Sequence, residues 1–145
     1  MHNFISFLNL RIIFFLNAIL LTLCLSCTKS LEDFKEEGEG LTRSLIQELQ
    51  EIRTRKDLQL SYGRLQILFT RLSDLMITAQ EFQEKHHLSS LELSKENHEL
   101  SELLRIELNR IFLLDGGKEL IEKCQEPALQ KLDAYLKRMQ KKKRF

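Results

Sequence analysis

Three cysteines, four histidines and 21 carboxylates are the side chains of this 145-residue chain that could bind a metal or drive catalysis. His86 and His87 are adjacent, so on a helix they point about 100° apart and do not readily share one ion. His98 and Glu102 stand at i and i+4 and face the same way. They could supply two ligands, but a Zn²⁺ site takes three or four, and no His or Cys is spaced to complete the set. The expectation is no metal and no cofactor. The sequence has no G-x-S-x-G, no glycine-rich phosphate loop, no HExxH and no CxxC. Its acids sit near bases, as in Glu48–Arg55, Glu81–Lys85 and Glu119–Lys123. The last two pairs have the i, i+4 orientation that supports a helix. This is the pattern of a solvated surface, and the chain reads as non-enzymatic.

Lys and Arg number 22 against 21 Asp and Glu, a formal net charge of +1. That total hides a split. Setting aside Arg11 and the six cations of the tail leaves 15 basic residues in Cys27–Leu136 against all 21 acids, so this body carries −6. The tail 137–145 (KRMQKKKRF) carries +6 through Lys137, Arg138, Lys141, Lys142, Lys143 and Arg144. Such a cluster fits anionic lipid headgroups, an acidic partner or the acidic body of a second copy. A solvated helix end whose cations favour the negative pole of the dipole is the plain alternative.

Residues 1–26 contain one charged residue, Arg11, followed by the uncharged run Ile12–Ser26 (IIFFLNAILLTLCLS). A short cationic leader, an apolar stretch of about 7–15 residues and a small residue before a cleavage point make a secretory signal peptide. A membrane span needs about 20 apolar residues, and Phe4–Ser26 reaches that length only by admitting Asn9, Arg11 and Asn17. The run closes in Leu25-Ser26-Cys27-Thr28, which resembles the lipobox of bacterial lipoproteins, with Cys24 and Leu25 where that family has Leu and Ala or Ser. The resemblance covers the first 28 residues. It implies cleavage after Ser26 and a Cys27 thiol that bears lipid (palmitate-type acyl chains), with the new N-terminus often acylated too. Two or more buried chains anchor a protein stably. Thr28, in place of Asp after the cysteine, implies sorting to the outer membrane, on its periplasmic face. On this reading Cys24 leaves with the signal and Cys27 carries lipid. Cys124 is then the one thiol left, with no intramolecular bridge available. Its spacing from Leu120 and Ile121 marks it as a small buried hydrophobe, with an intermolecular disulfide as the alternative.

The elements behind these residues read as helical throughout. One proline, five glycines and no tryptophan point away from multi-hairpin β folds. Thr28–Gly40 is polar and acidic and contains Gly38 and Gly40. The reading is a tether over 27–40, able to extend about 40 Å at ~3.3–3.6 Å per residue. Ser30 and Asp33 could start one helical turn in it. Leu41, Leu45, Leu49 and Ile52 form the stripe of a first helix. Asp57 is the expected N-cap of a second, in which Leu58, Leu65, Leu72 and Ala79 alternate with Leu68, Leu75 and Phe82 in a heptad seam. Ile67, Phe69, Met76 and Ile77 widen that stripe toward more than one neighbour. Ser89 and Glu92 suggest a capping box for a third helix carrying Leu93, Leu100, Leu104, Ile111 and Leu114. Asp115-Gly116-Gly117 is a turn signal. The last segment carries Leu120, Ile121, Cys124, Ala128, Leu132, Leu136 and Met139, with a kink or a break expected at Pro127.

Short links between long helices favour antiparallel neighbours. The expected fold is all-α: a small antiparallel bundle of three to four helices over 41–145, behind the signal peptide 1–26. An extended two-helix hairpin that self-associates in a coiled-coil manner is the competing architecture. The expected function is a lipid-anchored envelope lipoprotein, an assembly factor, accessory subunit or structural component. Its partners would be the membrane through its lipid, unidentified envelope proteins, anionic lipid at the tail, or a second copy. Lys142-Lys143-Arg144 resembles a nucleic-acid motif, but an exported chain does not meet nucleic acid. The alternatives are an inner-membrane protein that keeps residues 4–26 as an anchor, and a carrier holding a lipid or small ligand within the bundle.

Overall fold

The computed structural model describes residues 29–88 and 95–142, and the regular structure there is entirely helical. Among the described residues four helices form: α1 Leu31–Glu51, α2 Arg55–His86, α3 Lys95–Phe112 and α4 Gly117–Lys142. The all-α bundle read from the sequence is the fold observed.

α1 starts ten residues before the expected Leu41, so Leu31–Gly40 is helix and not tether. Phe34 is the reason. It continues the stripe of Leu41, Leu45 and Leu49 backward by seven, is buried, and sets its ring against Phe82 at 5.4 Å between centroids. Burying Phe34 and Leu41 stabilises by about 1.5–3 kcal/mol each. Two mid-helix glycines cost about 1 kcal/mol each, so burial wins. Glu32 and Asp33 in the first turn suit the positive pole of the helix.

α2 is capped by Thr54, one turn before the Asp57 expected from the sequence. Asp57 instead closes a capping box. Its N–H donates to Thr54 Oγ1 at 3.2 Å, and its Oδ2 accepts from the N–H groups of Thr54 at 2.8 Å and Arg53 at 3.1 Å. Both exchanges satisfy amide donors that the first turn would leave unpaired. At the other end His87 takes the left-handed conformation (φ 52°), and the Leu88 N–H returns to the Gln83 carbonyl at 3.1 Å. This 6→1 bond is a Schellman-type stop. The expected Ser89–Glu92 capping box and Leu93 lie outside the described residues.

Leu113–Gly116 forms the turn foreseen at Asp115-Gly116-Gly117, although Gly117 is already the first residue of α4. Gly116 has φ +66°, a conformation that favours glycine. A Cβ on Gly117 would stand 2.0 Å from the Ile111 carbonyl oxygen. α4 continues through Pro127 as one helix, not two. Proline removes the amide that the Lys123 carbonyl would have accepted from. The Tyr62 hydroxyl on α2 donates to that carbonyl in a long bond of 3.5 Å.

The helices alternate in direction, but the neighbours are not all antiparallel. α1 and α2 form one antiparallel pair. α2 and α4 run parallel, as Tyr62–Lys123 and Asp74–Lys131 show by advancing together. α1 and α3 also run parallel: Asn97 and Leu100 line one cleft with Phe34 and Lys35, while Arg110 reaches Leu49 and Ile52. α2 and α3, though consecutive, make no close helix–helix contact, and neither do α1 and α4; α3 and α4 touch least among the pairs that do. Eight positions, 87–94, separate α2 from α3 in the sequence. At ~3.3–3.6 Å per residue, a stretch of that length does not force consecutive helices to pack as neighbours.

The main core joins Leu45, Leu49 and Ile52 of the α1 region to Leu58, Leu65 and Phe69 of α2, Ile111 of α3, and Ile121, Cys124 and Ala128 of α4. A second, smaller cluster of Phe34, Leu41 and Leu75 lies toward the other end.

Candidate functional site

The lipobox residues Ser26 and Cys27 lie outside the described residues, as do Lys143 and Arg144 of the tail. Lys137, Arg138, Lys141 and Lys142 stand on the last two turns of α4 and are exposed. Among the described residues none of the four forms an ion pair. Arg138 has its guanidinium carbon 5.7 Å from the centroid of the Tyr135 ring, close enough for a cation–π contact. Tyr135 is buried, and among the described residues its hydroxyl has no hydrogen-bond partner. Burial, together with the carboxylates of Glu84 and Glu81, raises its pKa. The sequence reading passed over Tyr135. Its spacing of seven from Ala128 was the available signal, since it continues the stripe of Ile121, Cys124 and Ala128.

The described histidines do not assemble. His86 stacks on Phe82 at 4.4 Å between ring centroids, His87 supplies the left-handed cap, and His98 is exposed on α3. Glu102, its i+4 neighbour, pairs with Arg105, which lowers the Glu102 pKa. Among the described residues no group of three or more His, Cys, Asp or Glu comes together as a metal site. Cys124 is fully buried, and desolvation pushes its thiol up to about 11. Such a thiol is inert as a nucleophile or redox centre at neutral pH.

The ion pairs differ from those read off the sequence. Glu48 pairs with Arg64 across the α1–α2 boundary at 2.7 Å, which holds its carboxyl below the usual range, and Arg55 pairs with Asp115 at 2.7 Å. Neither Glu81–Lys85 nor Glu119–Lys123 comes within ion-pair distance. Arg110 on α3 was not foreseen. Its guanidinium donates to the carbonyls of Ile52 at 2.8 Å and Leu49 at 2.6 Å, and it also pairs with Glu107 at 2.8 Å. It therefore supplies a donor to the Ile52 carbonyl just past the end of α1, and a second one to the Leu49 carbonyl, which also accepts from the Ile52 N–H at 3.1 Å. Nothing local in the sequence announces a contact across 58 positions.

Two surface features could engage other molecules. An apolar cleft of about 270 Å³ opens between α1, α2 and α3, floored by Phe34, Gly38, Leu72, Leu75, Ala79 and Leu100. Along the outside of α2, Leu60 is 68% exposed and Ile67 60%, one heptad apart, flanked by the exposed cations Lys56, Arg64 and Arg71. Ile67 and Met76, expected to widen the buried stripe, are thus at the surface, while Phe69 is buried as expected. Among the described residues no helix is long and apolar enough to cross a membrane.

Comparison with protein-family models, with curated proteins and with solved structures finds no match to this chain.

Proposed function

We propose that the protein is a small lipid-anchored component of the bacterial cell envelope, held through Cys27 and acting by non-enzymatic protein–protein contact as an assembly, accessory or structural subunit. The observation that carries this reading is the uncharged run Ile12–Ser26, ending in a small residue directly before Cys27. Two further features support it. The remaining thiol of the processed chain, Cys124, is buried. The surface of α2 offers Leu60 and Ile67 to a partner. With α1 helical from Leu31, only Thr28–Ser30 separate the anchor from the bundle. That is a reach of at most about 10 Å at ~3.3–3.6 Å per residue, so a lipid on Cys27 would leave the bundle little freedom to move away from a membrane.

Intact mass of the protein extracted from membranes tests the anchor. The expected species starts at Cys27 and carries acyl chains. A chain starting at Met1 with an unmodified Cys27 rejects lipidation and supports a retained anchor over residues 4–26. The protein-binding half is tested by Leu60→Lys combined with Ile67→Lys. Envelope proteins that co-purify with the native chain are expected to be lost while the melting temperature is kept. Unchanged co-purification rejects this face.

A further inference from the structure

The start of α1 and the cationic end of α4 stand at the same end of the bundle. α4 runs parallel to α2, and its Lys131 bonds to Asp74 at 2.8 Å, which sets the last turns of α4 level with Glu81 and Glu84 on the last turns of α2. Phe82, in that same stretch of α2, packs on Phe34 in the first turns of α1. The final turns of α4 are therefore level with the first turns of α1, which begins four positions after Cys27. No acid follows Asp133 in the chain. The acids at this end belong elsewhere: Glu32, Asp33, Glu36 and Glu37 to α1, where Lys35 pairs with Glu32; Glu81 and Glu84 to α2, which also carries Lys85; and Glu99 to the first turns of α3. Since α1 and α4 do not touch, this end of the molecule is divided into an acidic side around α1 and a basic side on α4. Leu136 beside the cations is 54% exposed, and Leu88 at the end of α2 is 44% exposed.

We propose that the last turns of α4, Lys137, Arg138, Lys141 and Lys142, dock on an anionic lipid surface, giving the bundle a point of attachment in addition to the lipid. The inference rests on the lipid-anchored reading for its geometry but uses different residues. Basic clusters next to a membrane are attracted by anionic headgroups, and one lipid attachment plus a polybasic segment is a combination that makes anchoring stable. The acidic start of α1 is repelled by the same surface to which residue 27 would hold it. A basic helix end, level with it and offset to the far side of α2, opposes that repulsion. The −6 body provides no comparable cluster.

The test uses the full protein reconstituted into vesicles of phosphatidylcholine alone, or of phosphatidylcholine with phosphatidylglycerol. Amide hydrogen exchange is read over 136–142. With phosphatidylglycerol, exchange there is expected to slow about tenfold or more, with protection lost in high salt. It should also be lost when all four residues are changed to Gln, with core amides around Leu49 and Leu65 unaffected. A second variant, Lys56→Gln with Arg71→Gln and Lys118→Gln, should keep the protection. Equal exchange in the two vesicle types overturns the proposal; a tail docked on the acidic body of a second copy would give that result. Protection lost equally in the second variant also overturns it. The mass of the same sample reports the state of Cys27, so failure of the anchor and failure of the tail are read separately.

Discussion

The two ends of this bundle are built differently. At the end formed by the α1–α2 and α3–α4 turns, all four helices contribute to one core. There Arg110 ties α3 to the last carbonyls of α1, Arg55 reaches across to Asp115, and Gly117 packs too closely against Ile111 for any side chain. At the opposite end the buried cluster shrinks to Phe34, Leu41 and Leu75, an apolar cleft stays open, and the α4 cations face solvent. Fold stability is concentrated where the short links are, and the end that holds the start of α1 and the last turns of α4 is less tightly packed. The same residue type makes the contrast sharp: Gly117 is required by contact, whereas Gly38 has room.

Substitutions at the turn end should therefore cost most. Gly117→Ala drives a methyl group into the Ile111 carbonyl, and a loss of about 3 kcal/mol in urea unfolding is expected, at the upper end of overpacking costs. Cys124 gives the next effect. Its pKa is raised from 9.0 to about 11 in the folded protein, so the native state binds more protons than the unfolded state between those values. Stability is then fully present below about pH 9 and falls as pH rises toward 11. Its thiol should resist a disulfide reagent until the chain unfolds, and Cys124→Ala should flatten the alkaline decline. Arg110→Met leaves the Leu49 and Ile52 carbonyls without their charged donor, a loss of about 2 kcal/mol.

Thr54→Ala removes one half of the capping box, at about 1 kcal/mol. The same box supplies an acid-side prediction. Asp57 is held below its ordinary pKa by the Thr54 hydroxyl and by the Arg53 and Thr54 amides, and Glu48 by Arg64. Both contribute stability above the unfolded carboxylate range and lose it as pH falls through their lowered folded values. At the open end the sign reverses. A Cβ on Gly38 would meet Leu75 Cδ2 at an ordinary 3.5 Å, so Gly38→Ala should stabilise by about 0.5–1 kcal/mol while partly filling the cleft. Smallest of all, neutralising Lys137, Arg138, Lys141 and Lys142 should move folding stability by less than about 0.5 kcal/mol, since they lie beyond the core.

Much of this architecture was legible in the sequence, and the misses have physical causes. The heptad spacing of Leu58 and Leu65, the Asp115-Gly116-Gly117 turn and the burial of Cys124 are local patterns, and all are present. The start of α1 was hidden because Gly38 and Gly40 read as helix breakers. The seven-residue spacing from Phe34 to Leu41 carried the opposing signal, and burial of Phe34 decides between them. Thr54 lost its place to Asp57 because either can cap, and only the reciprocal bonds show which residue sits at N-cap and which at N3. The parallel packing of α2 with α4, and the reach of Arg110 to Leu49 and Ile52, depend on which helices become neighbours across the bundle. That information is not local. Of the candidate sites, the cationic turns of α4 were visible as a run of charges, but their position level with the start of α1 required the fold.

Native-state hydrogen exchange on the full protein in phosphatidylcholine vesicles, without anionic lipid, tests the division between the two ends most directly. Amides around Leu49, Leu65, Ile111 and Ile121 should exchange only on global unfolding. Those around Phe34, Ala79–Phe82 and Leu100 should exchange faster, by local opening. Uniform protection along α1 and α2, or slower exchange near Phe34 than near Leu49, would contradict the account.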